Sequence, residues 1–370
     1  PKPWYDPNSH VYTFQNYGGG TSFGHFIINY DFNSKLFMDC KSAVTNQSSQ
    51  TLFLNDFRYD NQMYNWINTK NKEAYQKVYS DTDWNSKINP DNPNNYIENV
   101  VISDNWDFPN IDKESNIDII TWNCEFFPTA NDSTIDALSE AITDLSADII
   151  AFQEIKNRGW FGKLMNLLPE YNYIISQQSS FMDQAIIYKK NDFSLINRLE
   201  IFSENDYNFA GRPPYLIELS FSGMTFYIIN IHLKCCGDGT LDESDSGDEE
   251  TRRRAASNAI KYYIDNNLSD KNVLLVGDYN DLIEDNISNN VFQSFIDDSD
   301  NYLFADTPIL DFPTSQWSFP SWPSHLDHIL ITNELFDEFN NAYNYVTTMN
   351  MAQYFSNGFY GYDNCISDHL

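Results

Sequence analysis

Residues 113–370 read as a layered α/β or α+β fold, preceded by a β-rich accessory region over 1–112. Three observations lead there. Short apolar runs bounded by turn residues recur through the C-terminal part. Stretches with apolar residues at helical spacing lie between them. Polar residues then fall repeatedly just after the apolar runs. Many strands with interspersed helices bury their apolar faces as stacked layers.

The N-terminal region is rich in Asn, Asp, Tyr and Trp. His25-Phe26-Ile27-Ile28 and Thr51-Leu52-Phe53-Leu54 read as strands. Gly18-Gly19-Gly20 and the Asn/Pro-rich stretch 89–95 read as turns. No chemistry is assigned to this region, and the alternative to a separate domain is an arm packed on the rest of the chain. From residue 117 the pattern sharpens. Ile117-Asp118-Ile119-Ile120-Thr121-Trp122 is a strand. Ser133 is a candidate N-cap, followed by Ile135, Leu138, Ile142 and Leu145 at helical spacing. Asp148-Ile149-Ile150-Ala151-Phe152, 185–188, 215–219 and 226–231 are strands. A helix over 251–266 leads into the strand Val273-Leu274-Leu275-Val276, and His328-Ile329-Leu330-Ile331-Thr332 is the last. Residues 238–250, dense in acids, read as a solvated loop. Arg252-Arg253-Arg254 is read as its charge partner.

The formal net charge is -31, from 53 acidic and 22 basic residues. That repels polyanions at long range and counts against salt-sensitive DNA binding through a basic patch. It is compatible with a phosphate site whose positive charge is supplied by a cation. Such acidity suits salty or extracellular surroundings, so an extracellular or cell-surface location is expected. No run of about 18 apolar residues suggests a membrane span. The chain starts at Pro1, which reads as a processed end. The five cysteines Cys40, Cys124, Cys235, Cys236 and Cys365 lack zinc-type spacing. Cys235 and Cys236 pair with each other only under strain. Disulfides to Cys40 or Cys365 and free buried thiols are the alternatives. Asn46 and Asn131 begin glycosylation sequons, which matter only in a secretory eukaryotic host.

The chemistry lies in the polar residues after the strands. Asn123 follows the first, Gln153-Glu154 the second and His232 the strand 228–231. Asp278 and Asn280 follow 273–276, Asp327 precedes 328–332, and Asp368-His369 comes at the end. Such placement brings side chains together at one rim of a sheet. The set suits phosphodiester hydrolysis. A hard cation needs oxygen ligands, for which Glu154 is the carboxylate, while Asn123 adds an amide oxygen or orients a ligand. A histidine near neutrality can move the water's proton, and both His232 and His369 are available. Asp183 is the candidate orienting partner of His232, and Asp368 neighbours His369. Asp278 and Asn280 can hold phosphate oxygens or polarise the nucleophile. His10 and His25 are given no role. His325 and His328 stand between packing and function.

Thr121-Trp122-Asn123, Phe152-Gln153-Glu154, Ile231-His232-Leu233, Gly277-Asp278-Tyr279-Asn280, Leu326-Asp327-His328 and Ser367-Asp368-His369 occur, in this order, with the spacing of a known family. The chain here resembles the endonuclease/exonuclease/phosphatase superfamily, the pancreatic-deoxyribonuclease-like fold. The resemblance implies a four-layer α/β sandwich, two facing sheets flanked by helices, using Mg²⁺, with Mn²⁺ or Ca²⁺ as alternatives. It implies Glu154 and Asn123 at the metal and His232 and His369 as the histidine pair. Asp183 and either Asp327 or Asp368 would orient or activate that pair. Asp278 and Asn280 would act at nucleophile and phosphate, and Arg212 in Gly211-Arg212-Pro213-Pro214 would contact phosphate. The stretch 318–325 and Cys235-Cys236 are similar to a bacterial secreted nuclease-like branch. In family members a short strand follows the Ser-Asp-His motif, whereas here Leu370 follows it; either the chain is cut there or part of that strand is replaced, and a poor replacement would leave His369 loosely held. A nuclease acting on DNA or RNA is the first reading. A phosphoinositide phosphatase or sphingomyelinase-like enzyme acting on a phospholipid or sugar-phosphate is the second. A non-catalytic module of an extracellular assembly is the third.

Overall fold

The computed structural model describes residues 105–112, 116–341 and 344–370, together with the backbone of five strands before them. Two compact units meet in sequence between Ile102 and Ser103. In the first, β1 (Pro3–Asp6), β2 (Val11–Asn16), β3 (Phe23–Asp31), β4 (Leu36–Thr45) and β5 (Thr51–Asp56) form one sheet in sequential order, each pair antiparallel. The expected strands at 25–28 and 51–54 fall in β3 and β5. The turns expected at Gly18-Gly19-Gly20 and 89–95 lie outside the described residues.

The second unit starts upstream of the 112/113 boundary read from sequence, because residues there pack into it. Phe108 is buried in its core, and the Ile111 N–H donates to Leu145 O at 3.1 Å. Four strands, β6 (Ile119–Phe127), β7 (Ile149–Ile155), β8 (Tyr171–Ile175) and β9 (Asp183–Lys189), form a sheet in the order β6-β7-β9-β8. Six more, β10 (Phe193–Glu200), β11 (Tyr215–Phe221), β12 (Met224–His232), β13 (Asn272–Asp278), β14 (Tyr302–Phe304) and β15 (Asp327–Thr332), form a second sheet in the order β10-β11-β12-β13-β15-β14. The pairs β6–β7 and β12–β13 are parallel, each joined through a helix, α1 (Asp132–Leu145) and α3 (Glu249–Asn267). A further helix, α2 (Arg158–Met165), follows β7.

Strand periodicity builds the layers. In β7, Ile149 and Ala151 join Ile186, Ile217, Ile228, Leu274 and Val276 in a core between the two sheets. The alternate residues Ile150 and Phe152 pack with Ile135, Leu138, Ile142 and Phe161 of α1 and α2. On the other side Ile229, Ile231 and Leu275 pack with Ile260 and Ile264 of α3. The result is helices, sheet, sheet, helix: the expected four-layer sandwich. Burying one such Leu, Ile or Phe contributes about 1.5–3 kcal/mol.

Some local expectations change. Ser133 is not the N-cap of α1. The helix begins at Asp132, and its boundary residue Asn131 makes no side-chain cap bond. The entry is instead fastened by the Thr134 hydroxyl, which accepts from Ala130 N and donates to Cys365 O, both at 2.7 Å. The acidic stretch 238–250 is not all loop. Asp248 caps α3 by accepting from Thr251 N, and Glu249 and Glu250 occupy its first turn, where the helix dipole favours them. Arg254 pairs with Glu243 and Arg253 with Glu250, as expected, and the buried Arg253 is held by Asp281 as well.

One glycine is required where β12 and β13 meet. Gly277 has φ 145, and a Cβ there would lie 2.0 Å from Ile231 O. Gly277→Ala is expected to destabilise the fold by about 2–4 kcal/mol, combining backbone strain with displacement of a neighbouring strand. A thermal melt within 1–2 °C (roughly a few tenths of a kcal/mol) of the parent would refute this.

Candidate active site

The same alternation that fills the inter-sheet core turns polar towards one end of it. Gln153 donates to Asn230 Oδ1 at 2.7 Å, and Asn230 Nδ2 donates to Phe152 O and Ala185 O, a buried link between the sheets. Next come the candidate site side chains. His232 and Asp278 are register partners in the parallel pair, and Asp278 and Asp327 are partners in the adjoining antiparallel pair. Partners across a ladder point to the same face, so three strand ends place His232, Asp278 and Asp327 side by side. β6 supplies Asn123 from the facing sheet, whose Nδ2 donates to Asp278 Oδ2 at 2.9 Å.

His369 completes the group from an irregular segment. The loose hold that a poor replacement of the last strand would leave is not seen. The Ser367 hydroxyl donates to Asn123 O at 2.6 Å and accepts from His369 N at 3.0 Å. The Tyr362 hydroxyl donates to His369 O at 2.7 Å, and Leu370 N donates to Ser318 O at 2.7 Å. The ring's Nδ1 lies 2.7 Å from Asp327 Oδ2. Between the two carboxylates that sequence left open, Asp327 orients His369, while Asp368 sits with its Oδ1 4.0 Å from Nε2. Asp278 Oδ2 lies at the centre, 3.5 Å from His232 Nε2 and 4.0 Å from His369 Nε2.

Glu154 enters from a distorted strand end. It adopts φ 62, and opposite it Glu125 and Phe126 also have positive φ, where the β6–β7 register slips. Such irregularities re-aim side chains at the rim of a sheet. Glu154 Oε2 accepts from Phe126 N at 2.9 Å, and Oε1 lies 3.7 Å from His232 Nε2. Asn280, at φ 56, donates its N–H to Asp278 Oδ1 at 2.9 Å and its Nδ2 to Leu233 O at 3.3 Å.

Three assignments are corrected. Asp183 does not serve His232. Both its oxygens are engaged by Arg158, from Nε at 2.6 Å and Nη2 at 2.7 Å, while His232 Nδ1 is buried without a hydrogen-bond partner among the described residues. Arg212 is not presented to a phosphate. It is 5 % exposed and donates from Nε to His232 O at 3.1 Å and from Nη2 to Leu233 O at 2.5 Å, so it braces the chain after β12. Asn123 does not offer its oxygen to a cation. That oxygen accepts from Glu125 N at 3.0 Å, which fixes the amide so that its NH₂ faces Asp278 and Glu154. Glu125 itself was not recognised in the sequence, although it lies two residues beyond Asn123 in the same motif.

Burial and charge set the protonation states. Burial, with the positive Arg212 and His369 beyond it, holds His232 well below the usual histidine range, so its ring is neutral at pH 7. Burial works against a charged His369, but Asp327 by charge and hydrogen bond, then Asp278 and Asp368, raise it to about 10. Burial lifts Asp278 to about 7; His369 opposes the shift, and Asp327 and Glu154 add to it. Burial and repulsion from Asp368, Asp363 and Glu154 lift Glu125 to about 7, and burial and Glu154 also raise Asp368.

The raised His369 has a consequence for stability. Its ordinary value is about 6.5 and its folded value about 10. The stabilisation is therefore complete below about pH 6.5 and is lost as pH rises through 10. The melting-temperature gap between the parent and Asp327→Asn is expected to narrow steadily from pH 6 to pH 10. A gap constant across that range would contradict the dyad.

A second cluster lies beside Asp327. Asp306 Oδ2 accepts from His325 Nε2 at 2.9 Å and His328 Nδ1 at 2.6 Å, Asp306 Oδ1 accepts from Ile329 N at 2.9 Å, and His328 Nε2 donates to Asp281 O at 3.0 Å. These three residues are of metal-ligand type and lie close enough to share an ion. Their atoms nevertheless sit at direct hydrogen-bond distances, closer than the roughly 3.3 Å between ligands each about 2.0 Å from a tetrahedral ion. As placed, the triad is an ion-pair anchor for the segment that carries Asp327.

The chain's affinities agree with this architecture. Residues 120–369 match the model of the Endonuclease/Exonuclease/phosphatase family. No curated protein matches. Among solved structures, TDP2 of D. rerio in complex with a single-strand DNA product is 15% identical, with a TM-score of 0.47, covering 58% of this chain and 83% of that one. The human Nocturnin catalytic domain with bound sulfate is 16% identical, TM-score 0.43, covering 60% and 85%. An endonuclease/exonuclease/phosphatase protein of Bacteroides vulgatus is 14% identical, TM-score 0.43, covering 58% and 85%. With the family's model spanning 120–369 and the six motifs gathered at one end of a two-sheet sandwich, the chain belongs to the endonuclease/exonuclease/phosphatase family.

Proposed function

We propose that residues 103–370 are a divalent-metal-dependent phosphodiester hydrolase, a nuclease acting on DNA or RNA. The observation that carries this reading is the placement of Asp278 Oδ2 within 4.0 Å of both imidazole Nε2 atoms, one ring neutral and the other charged. Members of this family are in general metal-dependent hydrolases. The donor set fits a hard cation. Glu154, Glu125 and Asp368 are carboxylates; burial first, and then repulsion from acidic neighbours that include Glu154, raises Glu125 and Asp368, and a divalent ion relieves such repulsion. Glu154 with Asp368 and Glu125 would hold it, and Asn123 would position Glu154 rather than ligate. Bound there, Mg²⁺, or Mn²⁺ or Ca²⁺ in its place, would supply positive charge to offset that of the phosphate.

The chain's own groups do the rest. Asp278, held by Asn123 Nδ2 and Asn280 N, takes the proton of the attacking water. The His369 imidazolium, fixed by Asp327, faces a phosphate oxygen and stabilises the negative charge that builds on it. His232, neutral, donates or accepts a proton at Nε2 on the opposite side. Arg212 keeps His232 and Leu233 in place from behind.

A phospholipid or sugar-phosphate diester is the second reading. It draws on two exposed aromatic residues: Phe126, whose N–H touches Glu154, and Phe181, with ring centroids 6.4 Å apart in an edge contact. An aromatic pair of this kind can stack on a base or dip into a lipid surface. An extracellular or surface location accords with the net charge of -31. No helix among the described residues is long and apolar enough to cross a membrane.

The test is a panel of plasmid DNA, RNA, sphingomyelin and phosphoinositide substrates with Mg²⁺, Mn²⁺ or Ca²⁺, each with and without chelator. Expected are metal-dependent cleavage of nucleic acid, its arrest by chelator, and about a tenfold loss in Phe126→Ala from lost stacking (about 1–3 kcal/mol per base). Turnover that survives exhaustive chelation would sink the metal-dependent reading, and turnover of lipid alone would replace the nuclease by the second.

A further inference from the structure

The chain after β12 carries two adjacent cysteines that the reaction above does not use. Cys235 is half-buried and Cys236 exposed, while Cys124 is fully buried. The two sulfurs lie 2.9 Å apart, less than one ångström beyond the roughly 2.05 Å of a disulfide bond. Of the alternatives read from sequence, a disulfide to Cys365 is not formed and Cys124 is a free buried thiol, while Cys40 lies outside the residues whose side chains are described. The Cys365 sulfur lies against Ser133 O at 3.5 Å.

Three features press the two thiols together. Arg253 Nη1 donates to Lys234 O at 2.7 Å and to Cys236 O at 2.8 Å, fastening the peptide on both sides of the pair. Arg253 is itself buried and held by Asp281 at 2.7 Å and Glu250 at 3.0 Å. Cys236 adopts φ 71, an unfavourable left-handed conformation for a side-chain-bearing residue. Gly237 follows at φ 109, where a Cβ would lie 2.3 Å from a Glu250 carboxylate oxygen. Lys234 Nζ lies 3.9 Å from the Cys235 sulfur, where it donates to Cys235 O at 2.7 Å and pairs with Glu249 at 3.4 Å.

The pair is also wired to the site. Leu233 O, two residues before Cys235, accepts from Arg212 Nη2 and Asn280 Nδ2.

We propose that Cys235-Cys236 is a redox-active vicinal dithiol, an oxidation site for peroxides, whose closure to a disulfide shifts the Leu233 carbonyl and slows the reaction proposed above, on which this last effect rests. The Cys235 thiolate attacks one oxygen of the peroxide, the O–O bond breaks, and hydroxide or alkoxide leaves with the electron pair, giving a sulfenic acid. The Cys236 sulfur attacks the Cys235 sulfur, the S–O bond breaks, and water leaves with the Cys236 proton. Two thiols are oxidised and one peroxide is reduced to two molecules of water, or to water and an alcohol. A thiol reductant reverses the change.

The full-length protein, fully reduced, is treated with stoichiometric hydrogen peroxide, alkylated and mapped by peptide mass. The expected result is a 235–236 peptide lighter by two hydrogens and closed to alkylation, reopened by dithiothreitol. Hydrolysis of a chromogenic phosphodiester with Mg²⁺ is expected to fall about tenfold on oxidation, as for a sub-ångström displacement of site groups, with Cys236→Ser unaffected. Both cysteines alkylated after peroxide, a disulfide to another cysteine, or a closed disulfide with an unchanged rate would overturn it. A protein inactive in both states removes the proposed hydrolysis, while the peptide map still decides whether the dithiol closes.

Discussion

His232→Ala is expected to lower kcat/KM for phosphodiester hydrolysis by about 10²- to 10⁴-fold, the range for loss of a positioned proton-transfer group. The ring is buried, and its Nε2 faces Glu154 and Asp278 at 3.7 and 3.5 Å. Burial and the nearby Arg212 keep it neutral at pH 7, so it can accept a proton without first losing one. A buried His→Ala change also leaves a void, so His232→Asn, which keeps polar bulk, is the companion variant. Both are expected to melt within a few degrees of each other and to be equally impaired. Parent-like turnover in either, with the fold intact by circular dichroism, removes His232 from the mechanism.

Asp278→Asn is expected to cost about 10²- to 10³-fold and to change the shape of the pH profile. Asp278 Oδ2 is the atom on which Asn123, His232 and His369 converge. Burial raises its carboxyl to about 7 against the pull of His369. A base works only when deprotonated, so the parent's rate falls as pH drops through this group's pKa. A bound cation moves that limb towards lower pH. In Asp278→Asn the residual rate should lose the limb altogether. A residual profile with the same acidic limb assigns the titration to another group.

The layered core was legible because its strands are buried on both faces. Ile149, Ile150, Ala151 and Phe152 form an unbroken apolar run, and Ile228, Ile229 and Ile231 form one interrupted only by Asn230. Strands exposed on one face were not. In β10 only Phe193 is fully buried, and Ser194, Ile196, Asn197 and Leu199 are exposed; β8 is five residues long and exposes Asn172, so neither shows a long apolar run. α2 is eight residues long and starts at an Asn157 cap, too short for its periodicity to stand out. Its omission also hid a partner. Arg158, at the start of α2, is what captures Asp183, and without it the carboxylate looked available to His232.

The site's membership was legible for the residues that follow strand ends, since a ladder fixes which face they share. His232, Asp278 and Asp327 are such a row. Orientation was not. The choice of Asp327 over Asp368 for His369 follows from how Ser367 and Leu370 tie down the chain. The turn of the Asn123 NH₂ towards Asp278 and Glu154 follows from an N–H at Glu125 in a left-handed kink, which no local residue pattern announces. The burial of Arg212 depends on carbonyls twenty and twenty-one residues later in the chain.

Anomalous diffraction from a crystal soaked with Mn²⁺ and a non-hydrolysable phosphodiester gives the most direct check on the shared pocket. Expected is one manganese peak on the carboxylate of Glu154, with the phosphorus between His232 and His369. A peak instead between Asp306, His325 and His328, with the phosphate bound elsewhere, would contradict it.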